Sequence, residues 1–133
     1  MRIVFDSNVV IAAFAAHGLC HQLFETCLRE HEVVLSAHIL DEVERKLQKK
    51  LKAPAPIARE IRAYLETHCA LEHANPVPRD ACRDPKDLPI LGLAAAARAE
   101  CLVSGDADML ILKKWQETAI LTPRELYDRL RRK

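Results

Sequence analysis

The sequence is short of glycine, with three in 133 residues, and it holds no low-complexity tract. Disorder is therefore not its default state. No apolar run approaches the roughly 18–20 residues that a membrane-spanning helix needs. At the start, Met1-Arg2-Ile3-Val4-Phe5 meets Asp6 before a signal-peptide core can form. These absences lead to the expectation of a cytoplasmic protein with no place in a membrane. No C-x-x-C pair occurs among the five cysteines, Cys20, Cys27, Cys69, Cys82 and Cys101. A disulfide framework or a thiolate zinc site wants close pairs, so these residues read as small buried hydrophobes. No G-x-G-x-x-G comes after the first strand-like run, which argues against a dinucleotide-binding fold. Nor does either charge dominate: 20 basic residues stand against 19 acidic ones. That balance neither demands nor excludes a nucleic-acid partner, and the distribution says more. Arg45, Lys46, Lys49, Lys50 and Lys52 form one basic cluster, and Arg124, Arg129, Arg131, Arg132 and Lys133 form another. Such clusters can track a phosphate backbone, although many are ordinary solvated faces.

What is present suits one domain over residues 1–133, since half of the chain is apolar and no linker or repeat divides it. Residues 2–5 read as a buried strand ending at Asp6, succeeded by an Ala-rich helix that stops near Gly18. Cys20, Leu23, Phe24, Cys27 and Leu28 share one helical face. Val33-Val34-Leu35 is a second strand, with Ser36 placed to cap the next helix. Ile39, Leu40, Val43, Leu47 and Leu51 continue a helical stripe until Pro54 and Pro56. Ile57, Ile61, Tyr64 and Leu65 mark a further helix, and 69–71 a weak strand. The proline-bearing segment 74–87 is a loop. Asp87-Leu88-Pro89 resembles a helix start with an acidic cap, and the helix extends to about Ala99. Residues 101–104 form the fourth strand, with a short helix after it to about Trp115, and Ala119-Ile120-Leu121 the fifth. Thr122-Pro123-Arg124-Glu125 predicts a capping box with Leu126 and Leu130 inward. Continuous apolar strands joined by helices predict a five-stranded parallel sheet covered on both faces, a three-layer α/β/α sandwich.

In an open α/β sheet, sites gather at the carboxyl ends of strands beside the switch point of the winding. Asp6 comes after the first strand and Asp106 after the fourth. If those strands are neighbours, their exits lie about 5 Å apart. Carboxylates that close raise each other's pKa unless a cation lies between them, and a hard divalent ion suits oxygen ligands. Asp87 opens the helix that enters the fourth strand. Glu42 lies near the start of the helix after the second, although helical geometry alone does not separate it from Asp41 or Glu44. Taken singly, each of these acids has an ordinary reading: Asp87 as a helix cap, Asp106 as a turn residue, any of them as surface charge.

The same residues resemble the motifs of the PIN domain family. Ile3-Val4-Phe5-Asp6-Ser7-Asn8 is similar to its first motif and Ser36-Ala37-His38-Ile39-Leu40-Asp41-Glu42-Val43 to its second, which matches Glu42. Arg83-Asp84-Pro85-Lys86-Asp87 with Ile90-Leu91-Gly92-Leu93-Ala94 resembles the third, and Val103-Ser104-Gly105-Asp106-Ala107-Asp108-Met109-Leu110 the fourth. The ending Ile120-Leu121-Thr122-Pro123-Arg124-Glu125-Leu126 resembles that of bacterial members grouped as toxins of toxin–antitoxin pairs (VapC-like). Met109 departs from the leucine or phenylalanine often found there, a volume-conserving change.

The resemblance implies an Mg²⁺- or Mn²⁺-dependent endoribonuclease that cleaves single-stranded RNA, with Asp6, Glu42, Asp87 and Asp106 as catalytic and metal-holding residues. Asp6 and Asp106 are implied as direct ligands, and Glu42 and Asp87 as holders of bound waters or a second ion. Ser7 and Ser104 are expected to hydrogen-bond the carboxylates, and Asn8 to orient the substrate or the Asp6 turn. Asp84 and Asp108 are expected to assist. A small antitoxin is the implied partner. It would lay an arginine into the acidic pocket and an apolar segment on the helix of residues 57–65. A homodimer is also expected. Two rivals have weaker support. An aspartyl-phosphate phosphotransferase using Asp6 as nucleophile wants a second Asp two positions on, where Asn8 stands. A non-catalytic PIN-like module binding RNA or protein does not need all four acids.

Overall fold

The computed structural model describes residues 1–132. Arg2–Phe5 forms β1, and Asp6 beyond it caps helix α1 (Ser7–Ala15) by accepting from the Val9 amide. Helix α2 (Leu19–Glu30) buries Leu23, Phe24 and Cys27 along the expected stripe. Strand β2 (Glu32–Leu35) leads through Ser36, whose side chain accepts from the Ile39 amide, into α3 (Ala37–Lys49). Helix α4 (Ala55–His68) and the two-residue strand β3 (Ala70–Leu71) come next. A loop then reaches a 3-10 turn at Pro85–Asp87 and helix α5 (Leu88–Ala97). Strand β4 (Cys101–Val103), the short helix α6 (Ala107–Leu110), strands β5 (Lys114–Trp115) and β6 (Thr118–Leu121) and helix α7 (Pro123–Arg131) complete the order. Helix α7 opens on the expected capping box, with Thr122 and Glu125 each accepting the other's amide.

The sheet runs β3-β2-β1-β4-β6-β5. β1 therefore pairs with β2 on one side and with β4 on the other, and the winding reverses between β1 and β4. Side chains alternate between the faces of a strand, yet every residue of Ile3–Phe5, Val33–Leu35 and Cys101–Val103 is buried. Both faces of the central sheet are thus covered, which gives the expected α/β/α layering. Apolar burial at roughly 25 cal/mol per Å² drives this arrangement, and Asp6 and Asp106 stand beyond the ends of two of its buried central strands, β1 and β4.

Three local expectations are corrected. The sheet has six strands, not five, and it is not wholly parallel: β5 lies antiparallel at the edge beside β6. The helix after Asp106 ends at Leu110 and does not reach Trp115. Lys113 and Gln116 both take left-handed backbone angles (φ 60° and 53°), turning the chain back into a hairpin whose Trp115 pairs with Thr118. Leu51 lies beyond α3 and is 46% exposed, outside the core stripe.

Gly92, inside α5, is where the loop before the 3-10 turn comes closest to a helix. A Cβ there would stand 2.1 Å from the Asn75 carbonyl oxygen, and the Asn75 amide donates to the Gly92 carbonyl at 3.0 Å. Alanine normally improves a helix interior over glycine by about 1 kcal/mol. Here Gly92→Ala should instead lower stability by about 1–3 kcal/mol, because backbone must move. Urea unfolding measures this; a Gly92→Ala protein as stable as wild type would show that the loop does not pack as described.

Candidate active site

The register between β1 and β4 sets the site. Phe5 lies opposite Val103, and the Asp6 amide donates to the Val103 carbonyl at 3.1 Å. The next residues, Asp6 and Ser104, therefore face each other. Ser104 Oγ donates to Asp6 Oδ2 at 2.5 Å and accepts from the Asp106 amide at 3.0 Å. One buried hydroxyl thus positions both acids, the role expected for Ser104. Asp6 Oδ1 accepts from the Val9 amide at 3.1 Å, and Asp106 Oδ1 from the Asp108 amide at 3.0 Å.

Five carboxylates line the pocket that opens here: Asp6, Glu42, Asp84, Asp87 and Asp106. The four acids singled out in the sequence are therefore brought together. The structure also separates Glu42 from its neighbours. Asp41 and Glu44 turn to Arg62 of α4, at 2.6 and 3.1 Å, whereas the side chain of Glu42 is only 13% exposed and faces the pocket. Its contacts with His38 and Arg45 are long, 3.7 and 4.0 Å. Asp84 joins the lining and caps the 3-10 turn by accepting from the Lys86 amide. Asp87 was expected to cap α5, and it does not: its backbone is already helical and its side chain makes no capping bond. That side chain is left for the pocket.

The expected bond from Ser7 to a carboxylate is not formed among the described residues: Ser7 is buried, and its Oγ accepts instead from Lys46 Nζ at 3.2 Å. Asn8 accepts from the same ammonium at 3.2 Å. Asp108 is outside the pocket lining, and its carboxylate is 3.7 Å from Arg83. Lys46, Lys86 and Ile90 also line the pocket. Lys46 was expected only as one of a run of basic residues on α3. Its four-residue spacing from Glu42, which puts both on one face, was the signal available. In the second basic cluster, Arg124 and Arg131 flank the Tyr127 ring at 5.7 and 5.4 Å, and Lys133 lies outside the described residues.

The electrostatics result from this crowding. Burial, reinforced by Asp106, Asp84 and Asp6, pushes the Asp87 carboxyl up to about 7. Burial also raises Asp6, against the opposing effect of Ser104, Val9 and Lys46. Asp87 Oδ2 is buried without a hydrogen-bond partner, an uncompensated acceptor of the sort that costs stability. An all-oxygen donor set with an orphaned carboxylate oxygen fits a hard cation. Among the described residues no three metal-binding side chains are already gathered close enough to hold an ion. A small hard cation that keeps several of its waters needs only one or two direct carboxylates. The pocket's ≈ 130 Å³ has room for them.

A family model described as PIN domain matches residues 2–108, a span that contains all four acids. Among solved structures, VapBC2 from Rickettsia felis, bound to a DNA fragment from its promoter, is similar in fold. The TM-score is 0.64 at 14% identity, covering 90% of this chain and 97% of that chain. The sarcin-ricin-loop-cleaving toxin VapC20 of Mycobacterium tuberculosis is also similar, with TM-score 0.62, 15% identity, and 86% and 97% coverage. At such identities the likeness speaks for the fold. No curated protein matches the sequence.

The raised Asp87 carboxyl predicts how stability depends on pH when EDTA keeps metal away. The folded group titrates near 7, the unfolded one near its ordinary 3.8. Between these values the folded state holds the extra proton, so stability is greatest on the acid side and falls as pH rises through 7. The loss is at most about 4 kcal/mol, and Asp6 acts in the same direction. Urea midpoints should be higher at pH 5 than at pH 8, and Asp87→Asn should flatten much of that difference. Equal pH dependence in wild type and variant would contradict the placement of Asp87.

Proposed function

The chain belongs to the PIN domain family, and on that premise we propose that it is an Mg²⁺- or Mn²⁺-dependent endoribonuclease acting on single-stranded RNA. The observation that carries the reading is the pocket of Asp6, Glu42, Asp87 and Asp106 at the ends of β1 and β4, with Asp87 Oδ2 unpartnered. Asp6 and Asp106 are the proposed direct ligands, and Glu42 and Asp87 hold coordinated waters or a second ion. Such an ion supplies Lewis acidity toward the phosphodiester and a readily ionised water. The protein's own part is positional. Ser104 orients Asp6 and the Asp106 turn together, the Val9 amide fixes the other Asp6 oxygen, and the buried strands hold the geometry. Hydrolysis would add water to phosphorus and break one P–O ester bond; the water's proton would pass to a pocket carboxylate, and the departing oxygen would take up a proton to leave as a hydroxyl.

We propose further that this RNase is a toxin restrained by a small antitoxin. The fold shared with VapBC2 and VapC20 supports that reading. An inhibitor's arginine would find a bidentate carboxylate partner in the pocket and would exclude the ion. On α4, Ile57 and Tyr64 are each 43% exposed, and the Tyr64 ring lies 6.1 Å from the half-exposed Phe14. Those side chains suit an apolar segment of the same partner, whereas Leu65 is fully buried and belongs to the core.

Purified protein should cleave mixed single-stranded RNA with Mn²⁺ and not with EDTA. Asp6→Asn should abolish cleavage, and Ser104→Ala should lower it by about 10–100-fold. Co-expression with the small protein encoded beside it should yield a complex that does not cut. Undiminished cleavage by clean Asp6→Asn would end the nuclease assignment. A neighbouring protein that neither bound nor inhibited would end only the toxin–antitoxin part.

A further inference from the structure

The four-carboxylate reading gives no role to the two lysines of the pocket, Lys46 and Lys86, and of these Lys46 is the one held by side-chain hydrogen bonds among the described residues. It stands one helical turn after Glu42 on α3, and both side chains line the same pocket. Its ammonium donates to Ser7 Oγ and Asn8 Oδ1, each at 3.2 Å. Both acceptors are neutral. Among the described residues Lys46 has no carboxylate within ion-pair distance, although five line the pocket with it. A lysine recruited only to neutralise that pocket would pair with a carboxylate. This one is instead tethered to the first turn of α1, and its positive charge stays uncancelled at contact range. An ammonium has three N–H donors, so with two engaged one remains for a ligand.

The entering ligand meets a specific difficulty. A phosphodiester is an anion, and the pocket presents five carboxylates against Lys46 and Lys86. Cations bound to the acids would offset part of that repulsion. A positive group of the protein's own beside Ser7 and Asn8 would offset more of it, and among the described residues Lys46 is held there by hydrogen bonds. From this geometry we propose that Lys46 is a substrate-positioning residue whose free N–H binds a non-bridging phosphate oxygen of the RNA beside the acidic pocket. The proposal rests on the nuclease reading above and deepens it. The favourable coupling between Lys46 and Asp6 has a second consequence. The same ammonium opposes a metal ion electrostatically, so Lys46 serves the substrate at some expense to ion affinity.

The test compares wild type, Lys46→Met and Lys46→Arg on a mixed-sequence single-stranded RNA oligonucleotide. Binding is measured with Ca²⁺ over a range of salt, cleavage with Mn²⁺, and Mn²⁺ affinity on the protein alone. Thermal melts establish that each variant is folded. Lys46→Met should weaken RNA binding and raise KM about tenfold, the loss expected for one hydrogen bond to a charged group. It should lower kcat much less and reduce the salt slope of binding by about 0.7. Mn²⁺ affinity should be unchanged or higher. Lys46→Arg should retain the wild-type salt slope. An unchanged KM and slope in Lys46→Met overturns the proposal. So does a parallel loss of Mn²⁺ affinity, which would place Lys46 in the service of the acids, or a Lys46→Arg protein as impaired as Lys46→Met. Should Lys46→Met fail to fold, the Lys46→Arg slope decides alone, and a reduced slope overturns the proposal. If wild type cuts no RNA but shows the Lys46-dependent slope, the nuclease reading falls and the phosphate-binding role stands.

Discussion

The pairing of β1 with β4 is the constraint on which the site depends. These two strands come from distant parts of the chain, yet their register puts Asp6 directly across from Ser104. A slip of one residue would turn the facing side chains to opposite faces of the sheet and break the Ser104 bridge between Asp6 and the Asp106 turn. The strands that hold this register are buried throughout. Hydrophobic burial therefore fixes where the charges stand, and of the pocket's acids Asp6 adds two hydrogen bonds to that placement, from the Val9 amide and from Ser104.

The effect of the charges on one another is unfavourable. Buried carboxylates resist ionisation and raise one another's pKa, and the consequence concentrates at Asp87, which titrates near 7 and leaves one oxygen without a partner. A fold selected for stability alone would let Asp87 cap α5, a contribution of about 1 kcal/mol. Asp84 instead caps the preceding turn, and the Asp87 side chain is diverted into the pocket. Locally unfavourable choices of this kind mark functional sites. Ser104, Val9 and Lys46 temper the same repulsion at Asp6, whereas the neighbours of Asp87 all push its carboxyl up.

Much of this was legible in the sequence because it rests on local rules. Strand ends leading into acids, the Ser36 cap and the Thr122–Glu125 capping box are all read from residues a few positions apart. The hidden features depend on distant partners. Helical geometry alone does not separate Glu42 from Asp41 and Glu44; the motif resemblance points to Glu42, and Arg62 of α4 pairs with the other two. The cap reading of Asp87 was reasonable by local chemistry and was overridden by tertiary placement. The β5 hairpin turns through Lys113 and Gln116 in left-handed conformations without the glycine that usually announces them. Met109, Leu112 and Trp115 meanwhile mimic helical spacing. Lys46 looked like one of several surface lysines because its role comes from Ser7 and Asn8, nearly forty residues earlier.

The central claim is that these carboxylates are held in partial protonation until a divalent cation resolves their repulsion. Metal binding to such a site would expel the proton that Asp87 still holds. Calorimetric titration with Mn²⁺ at pH 7, repeated in buffers of different ionisation enthalpy, counts the protons released per ion. With Asp87 titrating at about 7, wild type should release about half a proton or more. Release should diminish at higher pH and largely vanish in Asp87→Asn. Mn²⁺ that bound wild type at pH 7 with no proton release, or released protons equally in Asp87→Asn, would contradict the account.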